Sequence, residues 1–330
     1  MVKNKKTLIV LIVAIAVLPL LIKSNSFHNM LVLLLIFATL GEAWNIITGF
    51  AGQTSFGHAA FFGIGAYTSS VLLYRFNISP WIGMFVGAAA AAAVAAIISY
   101  PCFRLKDSYF AIATLAVAEI IKQLFVSWDF VEGATGISLP ILDDSLWFMQ
   151  FNSSKLPYIY IALGLFAIVI VICNYIENSK MGFYLKAIRE SHEVAESIGV
   201  NTTNYKTYAM IISAALSAFA GTIYAQYILY IDPFMLFTLD ISIKIVLVTV
   251  LGGIGNIYGP IIGAAILIPL TEGTRIILGG TGRGIDLMIL GLLVVLVACF
   301  QPKGIIGLVE KLKNNIMKKK AGEGKVETNS

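Results

Sequence analysis

The chain has 330 residues, 58% of them hydrophobic and only 12% charged, with a mean hydropathy of +0.86. Water-soluble domains carry about 25% charged residues, so this composition excludes an ordinary soluble fold and fits a bilayer as solvent. The formal net charge of +5 does not point to nucleic acid, because the basic residues are distributed as in a membrane topology.

Ten apolar runs follow one another at 7–22, 27–47, 57–74, 80–100, 108–126, 157–175, 207–230, 241–255, 257–278 and 286–300. A straight span needs about 20 apolar residues, so 241–255 and 286–300 read as half-helices or buried segments. The first run follows MVKNKK, a basic start like that of a signal peptide. No small-x-small cleavage site follows, and a retained first span is expected. With Met1 inside, the inner segments hold sixteen basic residues and the outer loops four. That bias predicts both termini inside.

The sequence predicts an all-α polytopic membrane protein. Residues 1–310 are expected to form a single transmembrane domain, and 311–330 a basic, disordered cytoplasmic tail. No polar stretch is long enough for a stable soluble core. The outer loop 127–156 carries Asp129, Glu132, Asp143 and Asp144 with Gly133, Gly136, Pro140 and Trp147. It reads either as a docking surface or as a solvated loop closing a helix pair. In the run 80–100, Gly83, Gly87, Ala91, Ala95 and Ser99 recur every four residues, which predicts close helix–helix contact.

Two glycine-rich stretches join apolar runs, GFAGQTSFGHAAFFGIGAY at 49–67 and GGIGNIYGPIIG at 252–263. Glycine permits the positive φ and close approach of broken helices. Neither stretch is a phosphate loop, because GxxxxGK[ST] does not occur in the chain. Gln53, Thr54, Ser55 and His58 either line a path or satisfy the broken backbone. Glu119 with Lys122, Asp240 with Lys244, and Glu272 with Arg275 are spaced to neutralise each other on one helix face. Glu42 has no such neighbour. An isolated carboxylate in an apolar run is a functional candidate, unless it sits solvated near the interface.

The three histidines form no HExxH motif and no cluster with cysteine, so no metal site is expected. Cys102, Cys173 and Cys299 are scattered and form no framework. No GxSxG nucleophile motif is present.

The segment Lys180–Lys206 is the charged, helix-forming exception. Lys186, Arg189, Glu190, Glu193 and Glu196 make a polar face, while Ala187, Ile188, Val194, Ala195 and Ile198 supply apolar contacts. Gly199 is placed as a helix C′ residue. One or two short amphipathic helices are expected. An anionic inner leaflet would repel three carboxylates, so a protein partner explains them better than lipid does.

GFAGQTSFGHAAFFGIGAY closely resembles the signature of branched-chain amino-acid ABC-transporter permeases of the LivM/LivH type. YFAIATLAVAEI at 109–120 fits the LivM branch, and LKAIRESHEVAESIGVNTTNYK at 185–206 resembles that family's coupling loop. LGGIGNIYGPIIGAAIL at 251–267 and FQPKGIIGL at 300–308 match in kind and order. The resemblance covers roughly residues 30–310. It implies a fold like the ribose and cobalamin importers, with about ten helices, some short or broken. It implies a permease subunit in a bacterial inner membrane, without an ATPase motif of its own. It further implies two cytoplasmic ATPase subunits that use ATP, a sister or identical permease, and an extracytoplasmic solute-binding protein. Carried over by position, Glu190, Glu193, Val194, Ala195, Glu196, Ile198 and Gly199 would form the helix that docks on the ATPase. Gln53, Ser55, His58 and Glu42 are candidates for a substrate path from local chemistry alone. The residues also leave open a secondary transporter driven by an ion gradient. A lipid-acting enzyme lacks the clustered site it would need.

Overall fold

The computed structural model describes residues 5–277 except Lys23 and Lys106, together with 288, 291–292 and 304–307. The tail 311–330 and nearly all of the run 286–300 lie outside the described residues. Among these residues, six helical segments are long and apolar enough to cross a membrane: Asn25–Phe50, Pro80–Cys102, Ser108–Ser127, Leu156–Glu177, Thr202–Ile228 and Pro233–Gly252. The chain is a multi-pass membrane protein.

The helices follow the apolar runs in order. Helix α1 spans Lys5–Leu21, α2 Asn25–Asn45, α3 His58–Phe76, α4 Pro80–Cys102, α5 Asp107–Ser127 and α6 Leu156–Glu177. Two short helices follow, α7 (Lys180–Glu190) and α8 (His192–Ser197). Then come α9 (Thr202–Ile228), the single turn α10 (Pro233–Leu236), α11 (Leu239–Gly252) and α12 (Gly259–Ile277). The run 241–255 is therefore completed by α10, and the pair spans 20 residues. Helix α9 begins at Thr202, so the last residues of the 180–206 segment are the first turn of a span.

Helices α2, α3 and α9 form the centre, buried on nearly all sides. Side chains of every polarity are buried there, which is possible because Ser and Thr return their hydroxyls to helix carbonyls. Ser217 Oγ donates to Ser213 O at 2.9 Å, and Thr249 Oγ1 donates to Gly41 O at 2.9 Å. The small-residue stripe of α4 does what its spacing predicts. Gly83, Gly87, Ala91, Ala95 and Ser99 are all buried. A Cβ on Gly87 would stand 3.1 Å from Gly65 Cα, so α4 lies backbone to backbone on α3. Gly65 in turn faces α9, where its Cβ would reach 2.1 Å from Ala218 O.

Chain order assigns the loops to two ends. At one end, Arg75 pairs with Glu132 at 2.9 Å. There β1 (Ile137–Ser138) pairs antiparallel with β2 (Tyr230–Ile231). The loop 127–156 is folded rather than merely solvated. Buried Gln150 accepts from Leu142 N and donates to Pro140 O, and the indole of Trp81 donates to Leu146 O. Beneath it the rings of Tyr67, Phe125 and Phe237 pack with centroids 4.9–5.8 Å apart. The opposite end carries residues 46–57, α7, α8 and the turn 253–258.

Of the three charge pairs expected from spacing, Glu119 and Lys122 meet at 2.5 Å. Asp240 and Lys244 form no ion pair. Arg275's side chain lies outside the described residues.

Candidate functional site

Helix α7 begins after Ser179, whose hydroxyl accepts from Gly182 N. It ends at Glu190, because Ser191 leaves helical geometry and caps the next helix, its side chain accepting from Val194 N. The break at Ser191 turns one charged stretch into two helices. Gly199 then reverses the chain at φ +85°, where a side chain would be strained. Asn201 caps α9 by accepting from Asn204 N at 3.1 Å. Serine and asparagine occur where orphan helix N–H groups need acceptors.

The two helices close on a small core of their own. Ile188, Ala195 and Val200 are buried, with Tyr184, Ala187 and Tyr205 packed around them. Burying Ala195 turns the opposite face of α8 outward. Val194 is 60% exposed and Ile198 69%, with Glu190 and Glu193 exposed beside them. The result is an apolar pair rimmed by carboxylates at one end of the molecule. Glu196 differs from the other two acids. Its Oε1 accepts from Thr202 Oγ1 at 2.8 Å and lies 3.4 Å from His192 Nε2. It holds the turn between α8 and α9.

Two side chains fasten this surface to the spans. Lys186 Nζ pairs with Glu177 Oε1 at 2.9 Å, at the end of α6. Arg189 reaches further. Its Nη1 donates to Gly49 O at 2.5 Å. Gly49 lies in a π-helical turn, Ile46–Phe50, that ends α2. A Cβ there would sit 1.9 Å from Asn45 Oδ1. Glycine is what lets Asn45 fold across and accept from Gly255 N at 2.8 Å while donating to Asn256 O at 3.2 Å. Gly255 has φ +77°, and a Cβ on it would stand 2.6 Å from Arg189 Nη1. The two glycine stretches, about 200 residues apart, therefore meet over one arginine. The described segment 304–307 joins them, since a Cβ on Gly304 would reach 2.5 Å from Gly253 N.

Residues 51–57 run without helix between α2 and α3. Trp44 Nε1 donates to Ser55 O at 2.7 Å, and Thr48 Oγ1 to Gln53 O at 2.8 Å, so the broken backbone is satisfied from α2. His58 opens α3. Its Nδ1 lies 3.2 Å from Ser55 Oγ and its Nε2 2.7 Å from Ser213 Oγ, and Ser213 donates to Ala43 O. This chain of bonds ties α2, α3 and α9 together in the interior.

Gln53, Ser55, His58 and Glu42 are all buried. Ser55 and His58 are brought together; Glu42 is not joined to them. It is fully buried rather than solvated, and neither carboxylate oxygen has a hydrogen-bond partner. Its backbone carbonyl faces Cys173 Sγ at 3.9 Å. Sequence reasoning missed Asn45, Ser213 and the reach of Arg189. A polar amide four residues before a glycine, inside an apolar run, was the available signal for Asn45. Nothing local marked the other two. Among the described residues no cluster of three potential metal-ligating side chains occurs.

Comparison with known proteins agrees with this architecture. The family model described as the permease component of a branched-chain amino acid transport system matches residues 26–298. The chain is 27% identical to the LivM permease protein of the high-affinity branched-chain amino acid transport system of Escherichia coli. That match covers 96% of this chain and 79% of LivM. The LivH permease protein of Salmonella typhimurium is 26% identical over 83% of this chain and 92% of its own length. A probable LivM of Methanocaldococcus jannaschii is 26% identical over 72% of this chain and 68% of that protein. No solved structure matches the chain. A model that matches well over half the residues shows the family: the chain belongs to the permease components of branched-chain amino acid transport systems, and resembles the LivM type.

Proposed function

We propose that this chain is the transmembrane permease subunit of an ATP-driven importer for branched-chain or chemically related amino acids. It sits in a bacterial inner membrane with about ten helices of the ribose- and cobalamin-importer type and both termini inside. It uses two cytoplasmic ATPase subunits, a sister or identical permease, and an extracytoplasmic solute-binding protein. The chain itself binds no nucleotide.

The observation that carries this reading is the path from α8 to the glycine turns. The exposed Val194 and Ile198, rimmed by Glu190 and Glu193, offer an apolar key to a groove in a soluble partner. Movement of α8 passes to α7 through their shared core. Arg189 then carries it to Gly49 and the turn at Gly255, where α2 ends and α12 begins. A device of this kind suits a pore whose motor is another polypeptide. Substrate need bind the permease only weakly, because a soluble receptor supplies selectivity. That fits the modest polarity of Gln53, Ser55 and His58.

The test is uptake of radiolabelled leucine into proteoliposomes. The chain alone should give none. With its copurified ATPase, second permease and binding protein it should take up leucine only when ATP is enclosed on the ATPase side. Uptake by the lone chain driven by an ion gradient would overturn the proposal.

A further inference from the structure

Among the described residues Glu42 is the one buried carboxylate. It lies on α2 eight residues before Phe50, about 12 Å from that end of the segment at 1.5 Å rise per residue. Neither of its oxygens has a hydrogen-bond partner. The polar side chains beside it are Cys173 and Asn45, and the next carboxylate beyond is Glu177. The amide of Asn45 is already committed to Gly255 N and Asn256 O. The thiol of Cys173 is turned to the backbone carbonyl of Glu42.

Among the described residues no ammonium or guanidinium pairs with this acid. From α6 it meets Cys173, with Glu177 at the helix end. Helix α9 brings Ser213, which donates to Ala43 O and lies 2.7 Å from His58 Nε2 of α3. Helix α11 brings Thr249, which donates to Gly41 O, and α12 sets Pro260 against Gly41. The other titratable groups of these helices lie elsewhere. Lys206 stands over Phe103 at 6.0 Å, and Tyr224 packs on Phe62. Asp240 and Lys244 precede Thr249 by nine and five residues, toward the far end of α11. Glu272 lies toward Tyr227, whose hydroxyl bonds Asn29 at the opposite end of α2. His28 is also at that end. A carboxylate shut away from water without a partner is far costlier than the neutral acid, which is an ordinary buried polar group. Ionisable residues within spans are functional candidates for this reason.

The seam between α2 and α6 is closed at one end by α7. Lys186 Nζ pairs with Glu177 Oε1 at 2.9 Å, where α6 ends. The same ammonium stands 5.9 Å from the ring centroid of Phe50, where the α2 segment ends. Glu177 follows Cys173 by four residues, about one helical turn. One side chain of α7 therefore bridges the two helices whose seam buries Glu42.

We propose that Glu42 is a proton-binding site whose occupancy locks the α2–α6 seam shut, and that movement of α7 opens the seam to water, where the proton leaves. Binding forms the carboxyl O–H bond. Release breaks it and passes the proton to water, leaving a solvated carboxylate. The proton enters and leaves at the α7 end, so no charge crosses the membrane and ATP remains the source of energy. The inference rests on the permease reading above and adds a site that reading does not use.

The experiment uses the assembled complex in proteoliposomes. Infrared difference spectra are taken before and after addition of a non-hydrolysable ATP analogue. The expected result is loss of the carbonyl stretch of a protonated carboxylic acid in the wild type, no such change in Glu42→Gln, and a shifted band in Glu42→Asp. No band change in the wild type, or the same change in Glu42→Gln, would overturn the proposal. Should the glutamine variant fail to assemble, the shift in Glu42→Asp makes the assignment. Glu42→Gln cannot ionise and should lower ATP-driven leucine uptake at least tenfold, with melting temperature and ATPase copurification unchanged, while Glu42→Asp restores most of it. Undiminished uptake by Glu42→Gln also overturns the proposal, as does abolition of wild-type uptake by an uncoupler. Loss of ATPase copurification from the wild type would instead sink the permease reading. The acid band of the resting chain, compared between wild type and Glu42→Asp, would still report whether Glu42 holds a proton.

Discussion

The guanidinium of Arg189 donates to the backbone carbonyl of Gly49, a residue 140 positions earlier in the chain. One end of this bond belongs to the exposed helical hairpin and the other to the π-helical turn that terminates a central span. Hydrogen bonds from charged donors contribute about 1.5–3 kcal/mol. Replacing Arg189 by Ala should therefore reduce ATP-driven uptake by about 10- to 100-fold, while the ATPase still copurifies. Arg189→Lys should restore little, because one ammonium cannot serve the Gly49 carbonyl and fill the space beside Gly255 together. Uptake and ATP hydrolysis measured on the same proteoliposomes check this, and an unaffected ratio of the two would remove Arg189 from the transmission path.

Val194 and Ile198 carry exposed apolar surface that serves no internal packing. Changing either to Asp should leave thermal stability within about 0.5 kcal/mol, as for surface substitutions generally. The affinity for the ATPase should fall by about 30-fold or more, the loss of a buried anchor worth about 2 kcal/mol. Glu196→Ala should act differently. It removes the acceptor for Thr202 Oγ1, costs about 1 kcal/mol of local stability, and weakens the partner only through a loosened turn. Titration calorimetry with the purified ATPase, beside a melting curve of each variant, separates the two behaviours.

Glycines that look equivalent in sequence should respond in opposite ways. A Cβ at Gly65 would lie 2.1 Å from Ala218 O, whereas nothing stands within 4 Å of one at Gly164. Gly65→Ala forces α3 and α9 apart, and overpacking of this kind costs about 1–3 kcal/mol. Gly164→Ala should be neutral or add up to about 1 kcal/mol of helix stability. Melting temperatures in detergent decide the point, and equal shifts would contradict the backbone contact.

The loop 127–156 should loosen in acid. Asp144 is held below the ordinary aspartate value of about 3.9 by hydrogen bonds from Ser153 and then from the Asn152 N–H. Its depressed folded value means that the carboxylate supports the loop fully above the ordinary range. That support fades as pH falls through the lower folded value. Hydrogen exchange of residues 142–153 should therefore accelerate at low pH in the wild type. In Asp144→Asn it should be fast already at neutral pH. The group is fully exposed, so the effect stays within the loop.

Much of the architecture was legible because apolar runs and turn residues are local signals. Helices α2 to α6, α9 and α12 lie where hydropathy put them, and Gly199 ends the hairpin at the positive φ its position suggested. The run 241–255 looked too short because Pro233–Leu236 and the rest of its span were assigned to a loop. The Asp240–Lys244 spacing promised an ion pair that does not form, since spacing alone does not fix which neighbours draw each side chain. The three acids of the 190–199 segment looked alike in sequence, yet Glu196 turns back to Thr202.

The sequence by itself determined the solvent, the order of the spans and the family. Those properties follow from transfer free energies and local conformational preference, which each residue carries with it. Only the tertiary structure decided that Gly49 and Gly255 share one arginine, that His58 is tied through Ser213 to α2, and that α5 shows an ion pair outward at mid-span. Such relations depend on packing distances between segments far apart in the chain, and no local pattern of side chains encodes them.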